Sequence, residues 1–194
     1  MANKVLFGLS NVHYAVYDET QGTYGAPVAF PGAVNLSLSA EGDESKFFAD
    51  NVVYYVTSTN SGMSGTIEMA MMPDAFATTV LGHVKDQTTG LTYEATDAVV
   101  KTVALLFQVE GDEAARKCVL YNCTFSRPGE DAETKTESTE PKTITLNLTA
   151  IGRDFTIGTG ANAVKKNIIR AHAETGDSAY ANFFTAVPIP GVSA

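Results

Sequence analysis

Tryptophan is absent from this 194-residue chain, cysteine occurs twice, histidine three times, and 13 basic residues face 22 acidic ones. Each shortage excludes something. A formal net charge of −9 argues against tight nucleic-acid binding, which rests on Lys and Arg neutralising phosphates. The same sign disfavours anionic membrane surfaces and favours solubility at high concentration. The cysteines, Cys118 and Cys123 in "RKCVLYNCTFS", lack metal-ligand spacing. In a regular strand their odd separation points them to opposite faces, a poor geometry for a disulfide, so two reduced thiols are expected. His13, His83 and His172 stand isolated. Long apolar runs are also missing. The start, "MANKVLFGLSNVHYAV", has no continuous apolar core of a signal peptide, and nothing approaches membrane-spanning length. The expectation is synthesis in the cytosol and a soluble product.

Catalytic constellations are equally scarce. There is no phosphate-binding loop of Walker or dinucleotide type; "GTGAN" at 158–162 is a loop-like cluster. No serine sits in a nucleophile elbow. Carboxylates gather at Glu110, Asp112 and Glu113 and at Glu130, Asp131 and Glu133, each group following a strand-like segment, where charged turns are expected. The sequons "NCT" at 122 and "NLT" at 147 are chance matches in a Thr-rich chain without a secretory signal. No metal or cofactor is expected.

What is present is β structure. Thr, Ser, Gly and Asn are plentiful, and alternation of apolar and polar residues marks strands. "AVNLSLSA" aligns Val34, Leu36 and Leu38; "MSGTIEMAMM" aligns Met63, Ile67, Met69 and Met71. "TVALLFQVEGD" sets Val103, Leu105, Phe107 and Val109 opposite Leu106 and Gln108. "KTITLNLTAI" sets Ile144, Leu146 and Leu148 opposite Thr143, Thr145, Asn147 and Thr149. "NVVYYVTST" is apolar on both faces, the pattern of a central or doubly packed strand. In "MPDAFATTVLG", Pro73 and Asp74 open a short helix that Gly82 ends. Tyr180, Phe183, Phe184 and Val187 recur at helical spacing before Pro188, predicting a second helix in "DSAYANFFTAVPIP". The stretch 126–142 reads as a polar loop or hairpin end. The length suits one domain, taken as residues 1–152, with an extension over 153–194 that carries the second helix and packs on the same domain.

The segment "AEGDESKFFADN", residues 40–51, is at odds with itself. Glu41, Asp43, Glu44, Asp50 and Asn51 want water, while Phe47 and Phe48 do not. Such a segment is expected to be mobile alone and ordered on a partner. Three classes remain open at this point: a structural assembly protein, a monomeric β-sandwich binding module, and an enzyme with a site spread across loops.

"GLSNVHYAVYDE", "YGAPVAFPGAVNLSLSAEGD", "FFADNVVYYVTSTNSGMSGTIEMAMMPDAF" and "ALLFQVEGDEAARKCVLYNCTFSRP" together resemble the major tail proteins of long, non-contractile-tailed phages and prophages of Gram-positive bacteria. The resemblance runs from about Gly8 to about Ile151. It implies a β-sandwich or partial barrel with a flanking helix and no catalytic residues. It implies hexameric rings stacked into a hollow tube around a tape-measure protein. The tube would be bounded by tail terminator and baseplate or distal tail proteins, and DNA would pass through without specific binding. It also implies residence in the virion tail after synthesis in the host cytoplasm. Glu41, Asp43, Glu44, Phe47, Phe48, Asp50 and Asn51 would then form the segment reaching towards the neighbouring ring. The Thr- and Asn-rich face of "KTITLNLT" suits either a wet lumen or an ordinary solvated surface. The acidity suits either a lumen that releases DNA or simple solubility.

Overall fold

A computed structural model describes residues 3–132, 134, 142–158 and 163–191. In chain order its strands are β1 (Leu6–Asp18), β2 (Thr23–Tyr24), β3 (Val28–Ala29), β4 (Ala33–Glu41), β5 (Glu44–Ala49), β6 (Val52–Ser58) and β7 (Gly62–Met69). Helix α1 (Asp74–Thr79) follows. Then come β8 (Val84–Lys85), β9 (Thr92–Tyr93), β10 (Val103–Gly111), β11 (Arg116–Phe125), β12 (Ile144–Ala150), β13 (Arg153–Ile157), β14 (Val164–Ile168) and β15 (Arg170–Ala173).

The main sheet runs β2-β1-β10-β11-β12-β7-β4, with β3 beside β1 and β15 beside β11. Its pairings are antiparallel. β4 also comes against β1, so the sheet curls towards its own far edge without closing into a barrel. The fold is therefore mainly β, a partial barrel with one short helix among the described residues.

Alternation builds two cores, one on each face. On β10, Val103, Leu105 and Phe107 enter the inner core with Tyr14, Ile67, Leu120 and Leu146. Ala104 and Leu106 turn the other way, towards Val119, Tyr121 and Phe183. β12 is one-sided: Leu146 and Leu148 are buried while Thr145, Asn147 and Thr149 are exposed. Helix α1 begins after Pro73, whose extended backbone forms the cap, with Asp74 in the first turn. It stops before Gly82, which adopts φ +80°, a left-handed conformation glycine takes without strain. The helix delivers Phe76 into the inner core, stacked on Phe30 at 4.3 Å and edge-on to Tyr14 at 5.1 Å and Phe125 at 5.3 Å.

Several expectations fail for local reasons. Cys118 and Cys123 do not diverge. Between them Asn122 takes φ +51°, and the register advances three residues on β11 for two on β10. This bulge flips the side-chain parity, so both cysteines pack against the inner core, where both are free thiols. A similar slip between Ala33 and Asn35 turns Val34 outward and leaves it exposed. Met71 lies beyond the end of β7 and is exposed too.

The second helix is absent: residues 177–186 form a run of turns. β11 side chains take one carbonyl within the run and one just beyond it. Lys117 Nζ donates to the Tyr180 carbonyl at 2.7 Å, and Tyr121 OH to the Pro188 carbonyl at 2.6 Å. The aromatic spacing still works as packing: Phe183 and Val187 are buried against the outer sheet face, with Phe155 of β13. Residues 133 and 135–141 of the polar stretch and 159–162 of "GTGAN" lie outside the described residues.

Candidate assembly surface

β4 and β7 pair in register up to Glu41 opposite Gly62, and the ladder continues past them. The Thr59 amide donates to the Asp43 carbonyl at 2.9 Å, and the Asp43 amide to Thr59 Oγ1 at 2.9 Å. From Glu44 opposite Ser58 the β5–β6 ladder takes over and runs to Ala49 opposite Val52. One two-stranded ribbon therefore leaves the sheet. Its outer part, six residues of β5, extends about 20 Å at strand rise. β5 and β6 pack on each other and on no other element to a comparable extent.

Two local features shape the ribbon. At its base, a Cβ on Gly42 would stand 1.9 Å from the Thr59 carbonyl oxygen, so only glycine fits there. At its tip, Asp50 and Asn51 take φ +53° and +61°, the mirror-image two-residue turn that matches the twist of antiparallel strands. Asp and Asn are among the few non-glycine residues that adopt this region readily.

The seven sequence-predicted residues are thus gathered on one hairpin and its root. Glu41 ends β4, and its carboxylate accepts a hydrogen bond from Ser64 Oγ. Asp43 closes the root. Glu44 pairs with Lys46 at 3.0 Å, both exposed. Asp50 and Asn51 form the turn. Phe47 and Phe48 are 61 % and 60 % exposed, so neither folds back onto its own domain. The segment is one strand of a paired ribbon.

Reading the sequence missed the other half of this surface. "NVVYYVTST" is not a central strand: every residue of β6 is exposed. Val52, Val53, Tyr54, Tyr55 and Val56 stand beside the two phenylalanines. Tyr54 is the extra residue of a bulge, between the Phe48–Val53 and Phe47–Tyr55 pairs, and is 74 % exposed. The missed signal is "FFADNVVYY", two apolar runs joined by a turn dipeptide. Seven large apolar side chains on an unsupported ribbon, rooted in carboxylates, form the kind of apolar patch that marks an interaction site.

The first acidic cluster serves the fold instead, while Glu133 of the second lies outside the described residues. Glu110 accepts from Ser10 Oγ and Gln108 Nε2, each at 2.8 Å. Asp112 accepts the Lys4 amide at 2.8 Å. His13 stacks on Phe184 at 4.7 Å, and His83 lies 3.8 Å from Glu94. Among the described residues no three His, Cys, Asp or Glu side chains come together as a metal site. No helix among them is long and apolar enough to cross a membrane.

An exposed apolar β-ribbon on a curled, mainly β sheet is the architecture from which the class of the protein is read. The phage tail tube protein family matches residues 8–185. The chain belongs to that family, and its role is that of a structural component of the phage tail. No curated protein matches the sequence. Among solved structures, it is similar to a chain of the sheath–tube complex of an extracellular contractile injection system, PVC, in the extended state. That likeness has 11 % identity, a TM-score of 0.38 and coverage of 85 % of this chain and 94 % of the other, and is too distant to add to the assignment.

Proposed function

We propose that the chain forms hexameric rings that stack into the hollow tube of a long, non-contractile phage tail, with the β5–β6 hairpin reaching onto the neighbouring ring. The carrying observation is the hairpin itself. Phe47, Phe48 and the β6 aliphatics and tyrosines are exposed in their own subunit, and membership of a tail tube family favours another copy of the chain as their partner. A stacked ring uses heterologous contacts, closed around the ring and open along the axis. Glu41, Asp43, Glu44 and Asp50 set the hairpin's orientation and disfavour wrong contacts, while the apolar side chains supply affinity.

In this reading residues 1–152 are the tube-forming domain and residues 153–194 an arm packed over its outer face. The tube surrounds a tape-measure protein, meets terminator and baseplate proteins at its ends, and lets DNA pass without gripping it, as the net charge of −9 favours. The chain performs no catalysis and resides in the virion after synthesis in the host cytoplasm. Negative-stain microscopy of concentrated purified protein tests this. Rings and tubes are expected. A monodisperse monomer at every concentration and salt would favour a monomeric binding module instead.

A further inference from the structure

Arg153, the first residue of β13, holds a charge without a counter-charge. Its guanidinium carbon lies 3.2 Å from the centre of the Tyr17 ring and 5.6 Å from that of Tyr24. Its Nη1 is shut off from solvent and has no hydrogen-bond partner, and no ion pair joins the side chain to any described residue. A guanidinium offers five N–H donors in a planar fork. Stacking on tyrosine satisfies none of them, and the two guanidinium nitrogens other than Nη1, the ones an incoming acceptor can reach, have no hydrogen-bond acceptor among the described residues either.

The residue lines an open polar pocket of about 450 Å3, shared with Tyr17, Tyr24, Asn122, Asp154 and Asn167. The nearest carboxylate in sequence, Asp154, also lines the pocket but is already engaged by Asn167 Nδ2 at 2.7 Å and makes no ion pair with Arg153. The tyrosine ring fixes the plane of the fork, and a planar fork selects a planar, two-oxygen acceptor.

We propose that this pocket is a carboxylate-binding site, filled in the assembled tail tube by an Asp or Glu side chain of a second copy of the chain. The proposal rests on the tube reading above. The occupant follows from charge. With 22 acidic residues against 13 basic ones, the surface that a neighbouring copy presents is rich in carboxylates, and Arg153 is a cation left free to receive one.

The test uses assembled tubes of the full chain, imaged by cryo-electron microscopy to side-chain detail, together with Arg153→Gln and Arg153→Lys. The expected map places a carboxylate of a neighbouring copy about 3 Å from the guanidinium. Arg153→Gln should raise the concentration needed for tube formation by roughly tenfold or more, the effect of losing one charge-assisted contact per subunit. Arg153→Lys should recover only part of it, because the fork is lost. The inference is overturned if the map shows the guanidinium paired within its own chain, with DNA phosphate, or with an adventitious ion only. It is overturned equally if Arg153→Gln forms tubes at the wild-type concentration. Should Arg153→Gln fail to fold, the wild-type map decides. If the wild-type protein forms no tubes, the tube reading falls and this inference with it; normal tubes from Arg153→Gln sink this inference alone.

Discussion

Replacing Phe47 and Phe48 together by serine separates an assembly role from a folding role. A phenylalanine side chain offers about 200 Å2 for burial. With 61 % and 60 % of it exposed, each ring has roughly 120 Å2 left to lose on a partner. At about 25 cal/mol per Å2 this is worth about 3 kcal/mol per ring, or about 6 kcal/mol per hairpin as an upper bound. Ordering of side chains and incomplete cover remove a large part. Taking half, about 3 kcal/mol remains, equivalent to about a 100-fold change in association constant. Within the subunit the same change removes only the cross-strand pairs Phe47–Tyr55 and Phe48–Val53, each worth roughly 0.2–1 kcal/mol. These lie on a ribbon that neither core touches. The melting temperature of the dispersed subunit should therefore fall by less than about 8 °C. The tube-forming concentration, read by sedimentation and microscopy, should rise by about 100-fold. A drop in melting temperature beyond about 8 °C, or tubes at the wild-type concentration, would refute the reasoning.

Other perturbations follow from the same geometry. Gly42→Ala forces a Cβ to within 1.9 Å of the Thr59 carbonyl oxygen; tubes should be lost while the cores stay folded, with faster amide exchange at Asp43, Thr59 and Ser61. Asn51→Val puts a β-branched residue at φ +61° and should weaken assembly, whereas Asn51→Gly should preserve it; equal behaviour of the two would dismiss the turn. Phe76→Ala empties the inner core and should destabilise the subunit by about 3–5 kcal/mol in chemical denaturation; a loss below about 1 kcal/mol would show that the stacked aromatics contribute little. Burial pushes the Cys123 thiol up to about 12 and also raises that of Cys118. At pH 8 neither should react appreciably with a thiol reagent until denaturant is added, when two free thiols should appear; prompt native labelling of Cys123 would contradict its burial.

The body of the fold is legible wherever a strand is one-sided or regularly two-sided. Val103, Leu105 and Phe107 against Ala104 and Leu106, and Leu146 and Leu148 against Thr145 and Asn147, follow their written alternation into the structure. So does the short helix with Pro73 before it and Gly82 after it. Bulges are not legible, because one extra residue inverts every later side chain while leaving the local pattern intact. Asn122 did this to the cysteine pair, and the slip after Ala33 did it to Val34. The turns at 177–186 carry helical spacing, yet Lys117 of β11 takes the Tyr180 carbonyl there and Tyr121 takes that of Pro188 just beyond. Such tertiary competition leaves no trace in the segment's own residues.

The misreading of β6 has a different origin, and it bears on function. Apolar residues on both faces of a strand mean that both faces are covered, and in a self-sufficient domain the cover comes from the same chain. Here Val52–Ser58 is apolar on both faces and covered on neither. The inference about burial was sound and the inference about its source was not. A strand whose sequence demands cover that its own fold does not supply is written for a neighbour. Phe47 and Phe48 on the paired strand repeat the demand across the ladder, so it belongs to the ribbon rather than to one residue. A binding module for a small or soluble ligand would concentrate such side chains in a concave pocket. A projecting ribbon that carries them on β5 and β6 outside any pocket instead suits the proposed contact with another copy of the chain.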